Sequence, residues 1–158
     1  MTRTLPLRSA LVVLLASLVV ASPASARPQG SARLQMVWPA NGTVTSPFGV
    51  WRGNHRHNGI DIGLLRSGRL RAVTKGVVRR VGYSAGYDGY GMIVIIDLPG
   101  PYTALYAHLA SARVRPGQHI RKGQRIGVAG CSGSCSGTHL HFEVRRAGVP
   151  VNPMLFLG

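Results

Sequence analysis

Three histidines and one aspartate fall in two short clusters, His57-Asn58-Gly59-Ile60-Asp61 and His139-Leu140-His141, with a lone His108 between them in Tyr106-Ala107-His108-Leu109. The 158-residue chain has only four acidic residues, Asp61, Asp88, Asp97 and Glu143, so a carboxylate inside a histidine cluster stands out. Two imidazoles and a carboxylate can hold a divalent metal and leave it an open position. Two further imidazoles then remain for handling protons. That inventory fits a zinc hydrolase, provided the clusters meet in space.

The surrounding residues say how they could meet. In His139-Leu140-His141-Phe142-Glu143-Val144 the alternation of a strand puts His139 and His141 on one face, ~6–7 Å apart, and Leu140, Phe142 and Val144 on the other. One imidazole can bind a metal and the other can stand beside it; the plain alternative is a polar strand face with two exposed histidines. His57 and Asp61 are too far apart in a straight strand, ~13 Å, to share an ion. A turn or bulge at Asn58-Gly59 is expected to bring them together, with Gly59 supplying unusual backbone angles. Ile60 and Ile62 should enter the core and fix the direction of Asp61. Tyr102 to Leu109 reads as one returning strand, with Ala104, Tyr106 and His108 sharing a face. His55 and His119 sit in polar surroundings and read as surface residues, His55 close enough in sequence to line a cleft.

The rest of the chain is a series of short β-rich runs punctuated by 21 Gly and 10 Pro, with no clean helical period. Arg71–Tyr83 is interrupted in hairpin fashion at Lys75-Gly76. Met92–Leu98 is a buried central strand, Pro99-Gly100-Pro101 a sharp turn, and His139–Arg145 the last clear strand. The expected fold class is all-β, a compact antiparallel sandwich or partly open barrel. Residues 1–26 read as a secretory signal peptide: Arg3 and Arg8, an apolar stretch from Ala10 to Ala21, then Ala24-Ser25-Ala26. Residues 27–36 read as a linker and 37–158 as one domain. Export to the periplasm, or to the cell wall and medium, is expected, with no transmembrane segment after cleavage. Losing Arg3 and Arg8 lowers the formal charge from +15 to +13. So basic a chain attracts anionic envelope polymers. Its scattered arginines carry no nucleic-acid-binding motif, so no nucleic-acid partner is expected. Cys131 and Cys135 read as a disulfide closing a Ser/Gly-rich loop in an oxidising compartment. The competing reading, a metal site with His139 and His141, would leave His57 and Asp61 unexplained.

Trp38-Pro39-x-x-Gly42, Ser46-x-Phe48-Gly49, His57-x-Gly59-x-Asp61, Tyr106-x-His108-Leu109, Gly117-x-x-Ile120-x-x-Gly123-Gln124-x-Ile126-Gly127, Gly137-Thr138-His139-Leu140-His141-Phe142-Glu143 and Val151-Asn152-Pro153 occur in that order. From Trp38 onward the chain resembles the M23 zinc metallopeptidases of LytM or lysostaphin type. The resemblance implies a small antiparallel β fold with a metal-binding groove, of duplicated hybrid motif type, and one Zn²⁺ ion. It implies His57, Asp61 and His141 as metal ligands, with His108 and His139 as the catalytic pair flanking the metal. His139 is expected as proton acceptor and His108 as stabiliser of the oxyanion, the two roles being exchangeable. The implied partner is peptidoglycan, cut at stem-peptide cross-links or bridges by a monomeric enzyme. The alternative is an inactive regulator that activates other wall hydrolases. The Gly117–Gly127 pattern also resembles biotinyl and lipoyl carrier domains, but no Lys sits in a suitable exposed hairpin.

Overall fold

A computed structural model of the chain describes Met1 and residues 34–158. The signal peptide and most of the expected linker lie outside the described residues. Leu34 packs against the core, and Met36 is fully buried and bridges to Leu157. No helix among the described residues is long and apolar enough to cross a membrane.

In chain order the strands are β1 (Thr43–Ser46), β2 (Trp51–Arg52), β3 (His55–Arg56), β4 (Ile60–Gly63), β5 (Arg69–Arg71), β6 (Gly76–Gly82) and β7 (Ile93–Asp97). They continue as β8 (Tyr102–Ala107), β9 (Leu109–Ala112), β10 (His119–Ile120), β11 (Arg125–Ala129), β12 (Leu140–Arg146) and β13 (Val149–Val151), followed by a 3₁₀ turn at Pro153–Leu155. A large sheet runs β1-β4-β12-β8-β7-β6-β10, with β13 also paired to β12. A smaller sheet runs β5-β11-β9, and β2-β3 form a separate ribbon. Every strand pairing is antiparallel. The fold is all-β and antiparallel, and does not close into a barrel.

The main core takes Ile60 and Ile62 from β4, Val94 and Ile96 from β7, and Leu140, Phe142 and Val144 from β12. Leu70, Leu109 and Ile126 join it from the small sheet. Each such large side chain, taken fully from water, contributes roughly 1.5–3 kcal/mol. Ile93, Ile95, Leu105 and Ala107 form a second cluster, with Tyr87 and Tyr90 packed against it. Burial on both faces is why β7 reads as a continuous apolar run rather than an alternating one.

Three expectations are corrected. Lys75-Gly76 makes no hairpin: β5 pairs with β11, whereas β6 pairs with β7 and β10. β12 is not the last strand, since Ala147 and Gly148, both at positive φ, return the chain as β13. Tyr102–Leu109 is not one strand. β8 ends at Ala107, His108 takes φ +60, and the chain crosses into the small sheet as β9. His108 therefore does not continue the face of Ala104 and Tyr106, which lie in the main core.

Candidate metal centre

Asp61 and His141 meet because their strands are neighbours in register. β4 pairs antiparallel with β12, and the Cα partners are His141 and Asp61. The flanking residues Ile60, Ile62, Leu140 and Phe142 are fully buried in the core, so strand alternation drives Asp61 and His141 to the opposite face. His57 arrives from the loop before β4, where its amide donates to the Val50 carbonyl and its carbonyl accepts from the Gly49 amide. Gly59 has a role other than the expected one. Its φ is not positive; instead a Cβ there would stand 2.3 Å from the Phe142 carbonyl oxygen. Only glycine lets this segment lie so close against β12.

Three atoms converge. His57 Nε2 lies 3.0 Å from His141 Nδ1, His141 Nδ1 lies 2.9 Å from Asp61 Oδ1, and His57 Nε2 lies 3.2 Å from Asp61 Oδ1. The outer nitrogens of both rings already have acceptors: His57 Nδ1 donates to the Pro47 carbonyl at 2.9 Å, and His141 Nε2 donates to Glu143 Oε1 at 3.0 Å. With those protons placed outward, three lone-pair atoms face one another in a buried cluster. That is favourable only with a cation, or an added proton, between them. Two imidazole nitrogens and one carboxylate oxygen suit a zinc-like divalent ion, so these residues fit the metal.

Electrostatics supports the same centre. Burial raises the Asp61 carboxyl, but its close neighbours His141, His57 and the Arg52 guanidinium together hold it well below the ordinary carboxylate range. Burial lowers His141, yet its bonds to Asp61 and Glu143 hold the imidazole above its ordinary value in the metal-free chain. Burial likewise raises Glu143, which bonds from His141, Arg145 and Tyr90 pull below the usual range. The contribution of His141 is present below its unfolded value of ~6.5 and lost as pH rises through its higher folded value. Those of Asp61 and Glu143 are present above about pH 4 and lost as pH falls through their depressed values. From these three groups the metal-free fold gains most between about pH 4.5 and 6.5, a gain that His108, held below its ordinary value by burial, opposes in the same window. A metal needs His141 deprotonated, so its stabilisation should grow with pH. Calorimetry is expected to show a larger zinc-induced rise in Tm near pH 8 than near pH 5.5, and an equal rise at both would contradict this protonation scheme.

His108 and His139 border the three ligand candidates. Their ring centroids lie 4.7 Å apart, and that of His108 is 6.0 Å from His141. His139 Nε2 is 3.9 Å from Asp61 Oδ1. His108 Nδ1 donates to the Ser132 carbonyl at 2.8 Å and His139 Nδ1 to the Gly137 carbonyl at 2.7 Å. A carbonyl only accepts, so each ring carries its proton on Nδ1 and keeps a lone pair on Nε2. Burial pushes the His108 imidazole below its ordinary value. His55 lines the cleft with Arg52, Asn58, Asp88, Gly89, Tyr90 and Ser134, whereas His119 lies exposed on β10, away from it. Cys131 and Cys135 form a disulfide with Cα atoms 5.3 Å apart, so the competing thiolate site does not exist.

Sequence reasoning missed Glu143 and Arg52 as contributors and left Tyr90, with Tyr83 and Tyr87, open between lining the groove and packing its loop. Glu143, completely buried, receives bonds from His141, from Tyr90 Oη at 2.7 Å and from Arg145 Nε at 2.6 Å. Strand alternation placed Glu143 on the chemical face without suggesting this role. Tyr90, one of three loop tyrosines, turns its ring edge toward His141, with centroids 5.3 Å apart, and burial beside Glu143 pushes its hydroxyl up to about 12. Tyr87 packs edge-on against Tyr90, and Tyr83 is largely exposed. Arg52 holds the other Asp61 oxygen and donates to Ser46 Oγ at 2.8 Å, a contact that no sequence spacing announced. Partners that orient a ligand are typically worth 10–100-fold in metal affinity. Glu143→Gln is therefore expected to weaken zinc binding by roughly that factor in a chelator competition, while Asp97→Asn, at the exposed pair with Arg79, should leave it unchanged.

The sequence pattern of peptidase family M23 matches residues 55–153. The murein hydrolase activator NlpD of Escherichia coli is 37% identical over 120 residues, a match that covers 76% of this chain and 30% of NlpD. The chain thus spans under a third of that relative. A zinc-containing peptidase from Vibrio cholerae superposes with a TM-score of 0.66 at 29% identity, covering 76% of this chain and 38% of that one. The catalytic domain of the antimicrobial peptidase lysostaphin from Staphylococcus simulans does so with a TM-score of 0.60 at 26% identity, covering 73% and 89%. The matched span runs from the histidine-bearing ribbon through both clusters to the final turn, and by it this chain belongs to peptidase family M23.

Proposed function

We propose that the chain is a zinc-dependent endopeptidase that hydrolyses peptide bonds in bacterial peptidoglycan outside the cytoplasm, with residues 37–158 as its peptidase domain. The observation that carries this is the convergence of His57 Nε2, Asp61 Oδ1 and His141 Nδ1, bordered by two imidazoles whose Nε2 atoms are free to act. Family membership and the likeness to a zinc-containing peptidase and to lysostaphin support it. His57, Asp61 and His141 would hold one Zn²⁺, and the bound ion supplies Lewis acidity, acidifying water toward a pKa of ~7 and polarising a carbonyl.

The chain's own residues do the rest. Glu143 and the Pro47 carbonyl fix the two ligand imidazoles in the tautomers that present a lone pair inward. His108 enters the reaction neutral, because burial disfavours its charged form, and its bare Nε2 suits the acceptance of a proton from the attacking water. His139, whose Nε2 lies 3.9 Å from Asp61 Oδ1, would donate to the oxygen that gains negative charge only after that Nε2 has taken up a proton, since its Nδ1–H is already given to the Gly137 carbonyl. This assignment exchanges the two roles expected from the resemblance, and its reason is the burial of His108.

The identity to NlpD favours a second reading, in which the domain binds and activates other wall hydrolases without turning over substrate. One experiment separates them. Purified protein is assayed for zinc and then mixed with a cell-wall suspension, with and without chelator. Bound zinc and chelator-sensitive clearing support the peptidase. Zinc-free protein that clears the suspension only when a second hydrolase is added supports the activator.

A further inference from the structure

The two imidazoles beside the candidate metal centre give their Nδ1 protons to one short segment, residues 132–137. Ser132, whose carbonyl receives His108 Nδ1–H, lies inside the ring closed by Cys131 and Cys135. Gly137, whose carbonyl receives His139 Nδ1–H, follows two residues after it. Gly130, just before the ring, touches both histidines through the backbone: its amide donates to the His108 carbonyl and its carbonyl accepts from the His139 amide. The loop is also docked from the far side. Ser132 Oγ accepts from the Met92 amide at 2.9 Å and donates to the Leu109 carbonyl at 2.8 Å, and the Ser134 amide donates to the Gly89 carbonyl. Gly91 and Gly133 pack backbone to backbone. A Cβ on Gly91 would stand 2.3 Å from the Ser132 carbonyl carbon, and one on Gly133 would stand 2.4 Å from the Gly91 nitrogen. His108 itself is held at φ +60, which a non-glycine residue keeps only when its surroundings impose it.

We propose that the disulfide-closed loop Cys131–Cys135, together with Gly137 just beyond it, is a positioning clamp for the proposed reaction, holding the carbonyls that orient His108 and His139 without touching the candidate metal ligands. The inference rests on the peptidase reading. Its physical basis is that a Ser/Gly-rich segment in water samples many conformations, so carbonyls on it point one way only if the ends are tied. None of the ligand candidates depends on this segment. His57 is set by Pro47, Gly49 and Val50, Asp61 by β4, and His141 by β12 and Glu143. The clamp would therefore act on rate and leave metal binding alone. It also makes the chain sensitive to reduction. A phosphine cleaves the S–S bond, the two sulfurs take up two electrons and two protons, and the phosphine becomes its oxide with oxygen from water.

The test compares the zinc-loaded chain with its Cys131→Ser/Cys135→Ser double variant. Zinc per chain, kcat and KM on a cross-linked muropeptide, and the ¹⁵N signals of the histidine rings are measured on both. The clamp predicts one zinc per chain in both proteins, KM within about twofold, and kcat lower by roughly 10–10²-fold, a part of the ~10²–10⁴ that acid–base groups supply. It also predicts that the His108 and His139 ring signals move from a single Nδ1–H tautomer to a mixture while those of His57 stay fixed. Unchanged ring signals and unchanged kcat would overturn it, as would loss of zinc in step with rate. If the double variant does not fold, reduction of the folded native chain by a phosphine, followed by the same ring signals, decides the matter. If the native chain hydrolyses nothing, the peptidase reading fails, and the ring signals still show on their own whether the loop sets the two tautomers.

Discussion

Alanine in place of His57, Asp61 or His141 is expected to abolish zinc retention and hydrolysis together. Each supplies one of the three converging atoms, and the remaining pair cannot enclose a cation. If a three-ligand site binds zinc as zinc-dependent domains do, losing one ligand should cost about 4 kcal/mol or more, on the order of 10³-fold in affinity. Asp61→Ala also removes the only negative ligand and leaves the Arg52 guanidinium uncompensated at the site. The fold should survive, because Ile60, Ile62, Leu140 and Phe142 lie on the opposite face of the same strands and keep their contacts. Metal content by atomic absorption and affinity by competition with a chromophoric chelator check the first effect, and release of muropeptides checks the second. A ligand variant with full zinc and full turnover would dismantle the centre described above.

Alanine at His108 or at His139 should instead leave zinc bound and remove most of the rate, roughly 10²–10⁴-fold. Neither ring is among the three converging groups, and each keeps a bare Nε2, that of His139 lying 3.9 Å from Asp61 Oδ1. The pH profile tells the two apart. If His108 accepts the proton, activity in the native chain rises with pH as His108 loses its proton. Burial places that rise below the ordinary histidine value of ~6.5. His108→Ala should erase this acid limb from the residual activity, and His139→Ala should retain it. The reverse pattern would restore the assignment of roles implied by the family resemblance.

The two clusters were legible because their chemistry is local. His-x-His on a strand and Ile-Asp-Ile beside it each declare which side chains share a face, and burial of the isoleucines and of Leu140 and Phe142 makes that declaration binding. Gly59 was visible as a special position, but its reason was not: the obstruction is the carbonyl of Phe142, which lies 83 residues away in sequence. His108 was visible as a residue type and mistaken in its conformation. A strand pattern continues through it, and only the switch of its chain from the large sheet to the small one forces the positive φ. Arg52, in an exposed two-residue strand, carries no sequence signal of its contact with Asp61, since the ribbon packs where the loops put it.

By itself the sequence determined the donor types, the strand period that segregates them from the core, the antiparallel all-β class and the family. Strand alternation and side-chain chemistry act over two to five residues, so they can be read from a single line of text. The tertiary structure alone decided which nitrogen of each imidazole faces inward, that Glu143 and Arg52 hold His141 and Asp61, and that the Ser132 and Gly137 carbonyls receive the Nδ1 protons of the two remaining histidines. Those outcomes depend on carbonyls and charges brought together by the β4–β12 register and by the chain's passage between sheets, and such long-range contacts leave no periodic trace in the residues that make them.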